Sequence, residues 1–278
     1  MTVPTTGHLL DSFPYIRVGA GQKPLVVIPG FGDSMFSGRY PAIAARLVSS
    51  YFHRFTDDYT IYVISRPRGI PENYQIDDAT EQYGQILDEI PTPADVLGIS
   101  MGGLIGQELA ARYPELVDRL VIAVSGYRVA DGGRNIVSRW QQYAARHRWV
   151  RLRSELSREL YSLSDWRRYS APSTIQTVGR LCLPRPAVPS DVTRSLAAIN
   201  RYDAETRLAD IESSTLVVGG SDDPFFPESV LRETADRIPD AKAVPIDGTK
   251  HGAFDERKRQ FDTRVKAFLS ETQSTTTN

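Results

Sequence analysis

Ala94-Asp95-Val96-Leu97-Gly98-Ile99-Ser100-Met101-Gly102-Gly103 is the stretch that decides the fold. The apolar run from Ala94 to Leu97 reads as a short strand. Gly103 to Arg112 repeats its apolar residues at helical spacing until Tyr113-Pro114 ends the run. Between the two sits a serine with a glycine two residues before it and another two after. A side chain at the apex of a strand-to-helix turn takes an unfavourable backbone conformation, and strand and helix cross closely only if the flanking positions lack bulk. The pentapeptide alone says little, because roughly 0.1 chance matches are expected in a chain of this composition. The order strand, turn, helix makes Ser100 a candidate nucleophile, against the plainer reading of a tight structural turn.

A serine hydroxyl is a poor nucleophile at neutral pH, so it needs a base to take its proton and a carboxylate to orient that base. The chain has four histidines. His8 lies in a polar N-terminal segment, His53 follows an amphipathic run, and His147 sits among arginines. His251 stands in Gly248-Thr249-Lys250-His251-Gly252-Ala253-Phe254, a loop after the expected strand Lys242 to Ile246, and is the candidate base. The acid is sought after another strand, in Thr215-Leu216-Val217-Val218-Gly219-Gly220-Ser221-Asp222-Asp223-Pro224. Pro224 biases Asp223 towards an extended backbone, which favours Asp223 over Asp222, leaving Asp222 to cap or brace the loop. Asp247 and Asp255 lie too close to His251 in sequence for a separate strand to position them.

Ser100, Asp223 and His251 follow the chain order Ser, Asp, His. On these motifs the chain, from about residue 10 to 270, resembles the α/β-hydrolase fold, in particular its serine esterases, lipases and lactonases. The resemblance implies an α/β fold with a doubly wound, mostly parallel sheet, the three side chains on loops at the carboxyl ends of strands, and a cap inserted after the sixth strand. It also implies an oxyanion hole, for which Leu25-Val26-Val27-Ile28-Pro29-Gly30-Phe31-Gly32-Asp33-Ser34 is the matching segment. Carried over, the backbone NH groups of Phe31 and Met101 receive the oxyanion. Many relatives have histidine where this chain has Pro29, which stiffens the loop and donates nothing. The implied activity is hydrolysis of a small or medium carboxylic ester, thioester or lactone through an acyl-enzyme. A carbon-carbon bond hydrolase, an acyltransferase or a ligand receptor built on the same three residues stays open. Serine at the elbow argues against the epoxide-hydrolase and haloalkane-dehalogenase chemistries, which need aspartate there.

Around this site, strand-like and helix-like segments alternate through residues 1–126 and again through 205–270, which predicts crossover units and a parallel sheet core. Residues 127–204 carry helical spacing without strand-like runs (Ile136, Trp140, Tyr143, His147, then Leu152, Leu156, Leu160) and are the expected helical cap. The polar tail 271–278 is expected to be disordered. Residues 127 to 190 hold twelve arginines, no lysine and four carboxylates, in a chain of 278 residues with net charge −1. A basic, aromatic-rich lid could attract an anionic substrate or a membrane surface. The plainer reading is a solvated face whose arginines pair with the acidic body while the tryptophans pack the lid down.

The near-zero net charge and the lack of any nucleic-acid-binding module argue against nucleic-acid binding. No run of about 20 apolar residues predicts a transmembrane segment, and the first twelve residues lack the hydrophobic run of a signal peptide. Cys182 is the only cysteine, so no intramolecular disulfide can form, and a cytoplasmic location is expected. No dinucleotide-binding, P-loop or metal-ligand pattern is present, so neither cofactor nor metal is expected. The oligomeric state is not legible.

Overall fold

The apolar runs at Lys23–Ile28, Ala94–Ile99, Val117–Ala123 and Ser214–Gly220 become strands buried on both faces along nearly their whole length, the condition under which parallel strands are stable. The structure, a computed structural model, describes residues 4–162 and 186–271. Its strands are β1 (Thr5–Leu9), β2 (Phe13–Val18), β3 (Lys23–Ile28), β4 (Tyr59–Ile64), β5 (Ala94–Ile99), β6 (Val117–Ala123), β7 (Ser214–Gly220) and β8 (Ala241–Ile246). They form one sheet in the order β1-β2-β4-β3-β5-β6-β7-β8. β1 and β2 pair antiparallel, as do β2 and β4, and every pairing from β4 through β8 is parallel.

The helices are α1 (Ala42–Tyr51), α2 (Ile76–Leu87), α3 (Met101–Arg112), α4 (Asp131–Ala145), α5 (Trp149–Leu160), α6 (Pro189–Arg201), α7 (Glu228–Asp236), α8 (Ala253–Glu256) and α9 (Lys258–Leu269). Two cores lie on opposite faces of the sheet. On one, Ala45 of α1, Phe52 just past its end, and Phe261, Val265 and Phe268 of α9 pack on Leu25, Leu97 and Val121. On the other, α2, α3 and α7 pack on Val26, Val96 and Ile122, and the same core runs on into α4, α5 and α6. This is the doubly wound sheet expected from the alternation.

Several boundaries differ from expectation, each for a local reason. The hairpin β1-β2 is not legible in the sequence, because its turn places Leu10 and Asp11 at positive φ (44° and 58°), where Asn-Gly is the usual signal. The helix expected from about Arg39 starts at Ala42, after Pro41, since a residue preceding proline is disfavoured in a helix. The single helix expected from Phe254 to Leu269 is interrupted at Arg257, whose φ of −120° and ψ of 40° are not helical. Among the described residues, 127–204 contribute helices and one isolated antiparallel bridge, between Arg128 and Asp203. The middle of that segment, with Trp166 and Cys182, lies outside the described residues, as does most of the tail. Glu271, expected within the tail, is held by Lys242 Nζ at 2.6 Å, and its carbonyl accepts a hydrogen bond from Arg119.

Among the described residues, Arg139 and Arg158 of this segment pair within it. Glu155 accepts hydrogen bonds from Arg139 Nε at 2.9 Å and Tyr143 OH at 3.1 Å, tying α5 to α4. Burial alone would raise the Glu155 pKa, but the bonds from Arg139 and Tyr143 and the charges of Arg139 and Arg158 outweigh it. The carboxyl is therefore held below its ordinary value of 4.5. A carboxyl with a lowered folded-state pKa contributes stability that is fully present above its unfolded value and lost as pH falls through the folded one. Wild type is expected to melt above Glu155→Gln near neutral pH, with the gap closing below about pH 4. Thermal melts of both proteins across this range test the sign, and a gap undiminished at low pH would show that ionic contacts do not tie the two helices.

Candidate active site

Four parallel strands deliver the candidate side chains to one end of the sheet. Phe31 follows β3, Ser100 follows β5, Asp223 follows β7 and His251 follows β8. The crevice beyond the carboxyl ends of parallel strands is where open α/β sheets bind ligands.

Ser100 is the N-cap of α3, with φ 55° and ψ −117°, a conformation rarely tolerated outside glycine. Its surroundings impose that conformation. A Cβ on Gly98 would lie 2.3 Å from the carbonyl oxygen of Gly102, and a Cβ on Gly102 would lie 2.0 Å from that of Ile28. Both collisions are with backbone, so neither position accepts a side chain without displacing strand or helix. The Ser100 NH donates to Ala123 O at 2.8 Å, anchoring the turn to β6.

His251 Nε2 lies 2.8 Å from Ser100 Oγ, and His251 Nδ1 lies 2.6 Å from Asp223 Oδ2. Asp223 is 1% exposed, and its Oδ1 accepts the backbone NH groups of Phe225 at 2.8 Å and Phe226 at 3.2 Å. The carboxylate thus receives three hydrogen bonds, which fix its orientation. The imidazole packs edge-on to Phe225 at 4.9 Å and stacks on Phe226 at 6.0 Å. Ring packing and two hydrogen bonds leave it one position. Asp222 is exposed; its NH donates to Thr249 O at 3.0 Å and its Oδ1 accepts from Ser221 Oγ, so it braces the loop. His8, His53 and His147 are exposed and lie outside this cluster. Asp247 is exposed, and Asp255 accepts from Tyr51 and Tyr161.

Phe31 opens a 3-10 turn, Phe31–Met35, beside the serine: a Cβ on Gly30 would lie 3.2 Å from Ser100 Cβ. Met101 is the first residue of α3, where a helix leaves its NH without an intrahelical partner. Two residues that hold the Phe31 turn went unnoticed in the sequence. Arg66, 1% exposed, donates to Pro29 O at 2.8 Å and Gly30 O at 2.9 Å, while its own NH donates to Asp33 Oδ2 at 3.0 Å. Asp33 also pairs with Arg68 at 3.0 Å. An Asp in a Gly-rich loop and an Arg just past β4 carry no spacing signal, because the contact spans 33 residues. From the other side, Ser195 Oγ of α6 lies 2.8 Å from Ser34 Oγ.

A cavity of about 430 Å³ opens over Ser100 and His251. Its floor is the loop after β3, and its roof is one face of α5: Arg153, Leu156, Ser157 and Leu160, at helical spacing. Trp140 of α4 forms a wall and stacks on Phe31 at 6.4 Å. The end of α5 rests on the histidine loop, where Gly252 NH donates to Leu160 O at 2.6 Å. Among the described residues no three His, Cys, Asp or Glu side chains gather as a metal-ligand set, and no helix is long and apolar enough to cross a membrane.

A hydroxyl, an imidazole and a buried carboxylate linked in series can transfer a proton from oxygen to nitrogen and return it to a leaving group. The comparisons with known proteins point the same way. The family profile described as alpha/beta hydrolase fold matches residues 23–258. A pimeloyl-[acyl-carrier protein] methyl ester esterase of Neisseria meningitidis serogroup A is 26% identical over 186 residues, 66% of this chain and 59% of that protein. One bearing the same name from Aliivibrio salmonicida is 26% identical over 262 residues, 92% of this chain and 95% of that one. The crystal structure of the enol-lactonase from Burkholderia xenovorans superposes with a TM-score of 0.80 at 18% identity, covering 96% of this chain and 100% of that chain, a likeness of fold.

Replacing Arg66 by Met removes both carbonyl contacts and one of the partners of buried Asp33. The expected loss is about 3–5 kcal/mol of unfolding free energy, read by urea denaturation. A loss under about 1 kcal/mol would mean that the turn carrying Phe31 is held by other contacts.

Proposed function

This chain belongs to the alpha/beta hydrolase fold family, and we propose that it acts there as a serine hydrolase on a carboxylic ester, thioester or lactone, through an acyl-enzyme. The observation that carries the reading is the continuous chain of short contacts from Ser100 Oγ through His251 to Asp223, at 2.8 and 2.6 Å. The methyl ester esterases among its relatives support ester chemistry. Their acyl groups are not carried over.

In the proposed reaction Ser100 Oγ attacks the substrate carbonyl carbon as His251 Nε2 takes the hydroxyl proton. Asp223 holds the ring in the tautomer with its proton on Nδ1 and stabilises the imidazolium that forms. Negative charge then develops on the former carbonyl oxygen, next to the NH groups of Phe31 and Met101. Preorganised donors of this kind contribute roughly 10²- to 10³-fold each. The tetrahedral intermediate collapses as His251 gives its proton to the leaving alcohol, thiol or ring oxygen, which departs and leaves an acyl ester on Ser100. Water, deprotonated by His251, adds to that ester; collapse releases the acid and returns the proton to Ser100. Residues 127–204 are the proposed cap, and through α4 and α5 they supply much of the acyl pocket. The cytoplasm is the proposed compartment, on the single cysteine.

Ser100→Ala is expected to abolish both fluorophosphonate labelling and hydrolysis of a p-nitrophenyl acyl ester. Asp223→Asn should lower kcat by about 10⁴-fold, whereas Asp222→Ala, on the exposed side of the loop, should stay within about threefold. Wild-type turnover in Ser100→Ala, or equal losses in the two aspartate variants, would refute the assignment.

A further inference from the structure

The turn between α4 and α5 carries charge that its surroundings do not answer. Arg146-His147-Arg148-Trp149-Val150-Arg151 runs through it, and the three arginines, His147 and Val150 are all exposed. None of these three arginines forms an ion pair among the described residues, whereas Arg139 and Arg158 on either side are taken up by Glu155. Arg151 lies over the Tyr143 ring at 5.1 Å, a contact that places the guanidinium without neutralising it. The first turn of α5 holds no acidic residue, although carboxylates are favoured there. Among these charges stands Val150, 68% exposed, the most exposed of the large apolar side chains described. The turn is also firmly held. His147 takes a left-handed backbone (φ 53°), its NH donates to Ala144 O at 2.9 Å, and the NH of Arg148 donates to Tyr143 O at 2.8 Å. Trp149 is buried in the core, with His147 edge-on to it at 5.5 Å. A buried anchor therefore presents the charges and the valine together.

We propose that this turn docks on an anionic lipid surface, with Arg146, Arg148 and Arg151 at the headgroup phosphates and Val150 entering the apolar boundary beneath them. Charge complementarity selects an anion, and the valine selects lipid over an acidic chain in solution. A stable protein interface buries about 800 Å² on each partner around apolar or aromatic anchors. The turn offers one exposed apolar side chain, and none of its six residues lines the cavity over Ser100. A nucleic acid would be met by a longer track of charges, and Val150 would gain nothing from its phosphates. A lipid surface needs neither groove nor track. Each arginine near it adds about fivefold to binding, and an apolar side chain adds in proportion to the area it buries. The net charge of −1 on the whole chain does not oppose this, because charges more than about 10 Å from the surface are screened. Val150 and Leu160 lie about 15 Å apart on one helix, whose Leu156, Ser157 and Leu160 roof the cavity. The surface contact and the roof thus belong to one rigid element. The docking itself does not depend on the hydrolase reading.

Co-sedimentation of the full chain with vesicles tests the proposal. At about 0.05 M salt, wild type should partition onto phosphatidylcholine vesicles containing about one-third phosphatidylglycerol roughly 10²-fold more strongly than onto phosphatidylcholine alone, and most of that preference should vanish by about 0.5 M. Replacing the three arginines together, Arg146→Gln, Arg148→Gln and Arg151→Gln, should remove at least about tenfold of the preference, whereas lysine at the same three positions should keep it. Val150→Phe should raise binding to the anionic vesicles by about threefold or more, a gain that no folding defect imitates, and Val150→Asp should abolish it. Equal partition of wild type onto neutral and anionic vesicles would overturn the proposal, as would unchanged binding in the triple glutamine variant. Titration with soluble poly-glutamate and heparin tests the alternatives in solution. Tight binding to either, together with vesicle binding that does not respond to Val150→Phe, would assign the turn to an acidic chain and overturn the lipid assignment.

Discussion

Backbone contact between β5, α3 and β3 is the constraint on which the site depends. Gly98 lies against Gly102, and Gly102 against Ile28, so closely that a single methyl group at either glycine would overlap a carbonyl. This approach forces the chain to reverse within one residue, and that residue, Ser100, is left at positive φ with its hydroxyl raised over the strand ends. Such a conformation costs on the order of 1–3 kcal/mol and persists only where the surroundings over-determine it. Here they do: α3 is buried along nearly its whole length, and β5 is paired on both sides. The energy that holds the serine is thus spread over the core.

The second dependence runs through the roof. α5 ends on the loop that carries His251, and Gly252 makes the junction possible, since a Cβ there would lie 2.6 Å from the carbonyl of Leu160. The helix that shapes the cavity and the ring proposed as the base are parts of one packed unit, to which Phe225, Phe226 and Trp140 also belong. A change in the roof reaches the imidazole through that contact. Equally, α6 reaches the Phe31 turn through Ser195 and Ser34, and fixes the loop after β4 through Asp191, whose carboxylate accepts the NH groups of Gly69 and Ile70. The segment expected as a cap is therefore tied to the core on both sides of the cleft.

Charge is placed with the same economy. Asp223 is satisfied by its own loop and by His251, and Asp33 by two arginines that also brace the turn beside Ser100. Arginines 139 and 158 answer Glu155 within the helical segment.

Ser100, Asp223 and His251 could be named as candidates from the sequence because each stands in a local pattern, a glycine-flanked turn or a loop after an apolar run, whereas Phe31 and Met101 were named only through the resemblance to the hydrolase fold. The parallel sheet was legible for a similar reason, since strand and helix periods alternate along the chain and admit few topologies. What the sequence could not carry were contacts made across the chain without periodicity. The Arg66–Asp33 brace, the hairpin β1-β2 with Leu10 and Asp11 in its turn and the seat of α5 on Gly252 all belong to this kind. An amphipathic helix with arginines around it reads the same whether a given arginine faces water or a cavity, because periodicity reports the apolar face and says nothing of what lies opposite it. Only the packed tertiary structure, by placing α5 over the strand ends, decided which of its side chains line the cavity over Ser100.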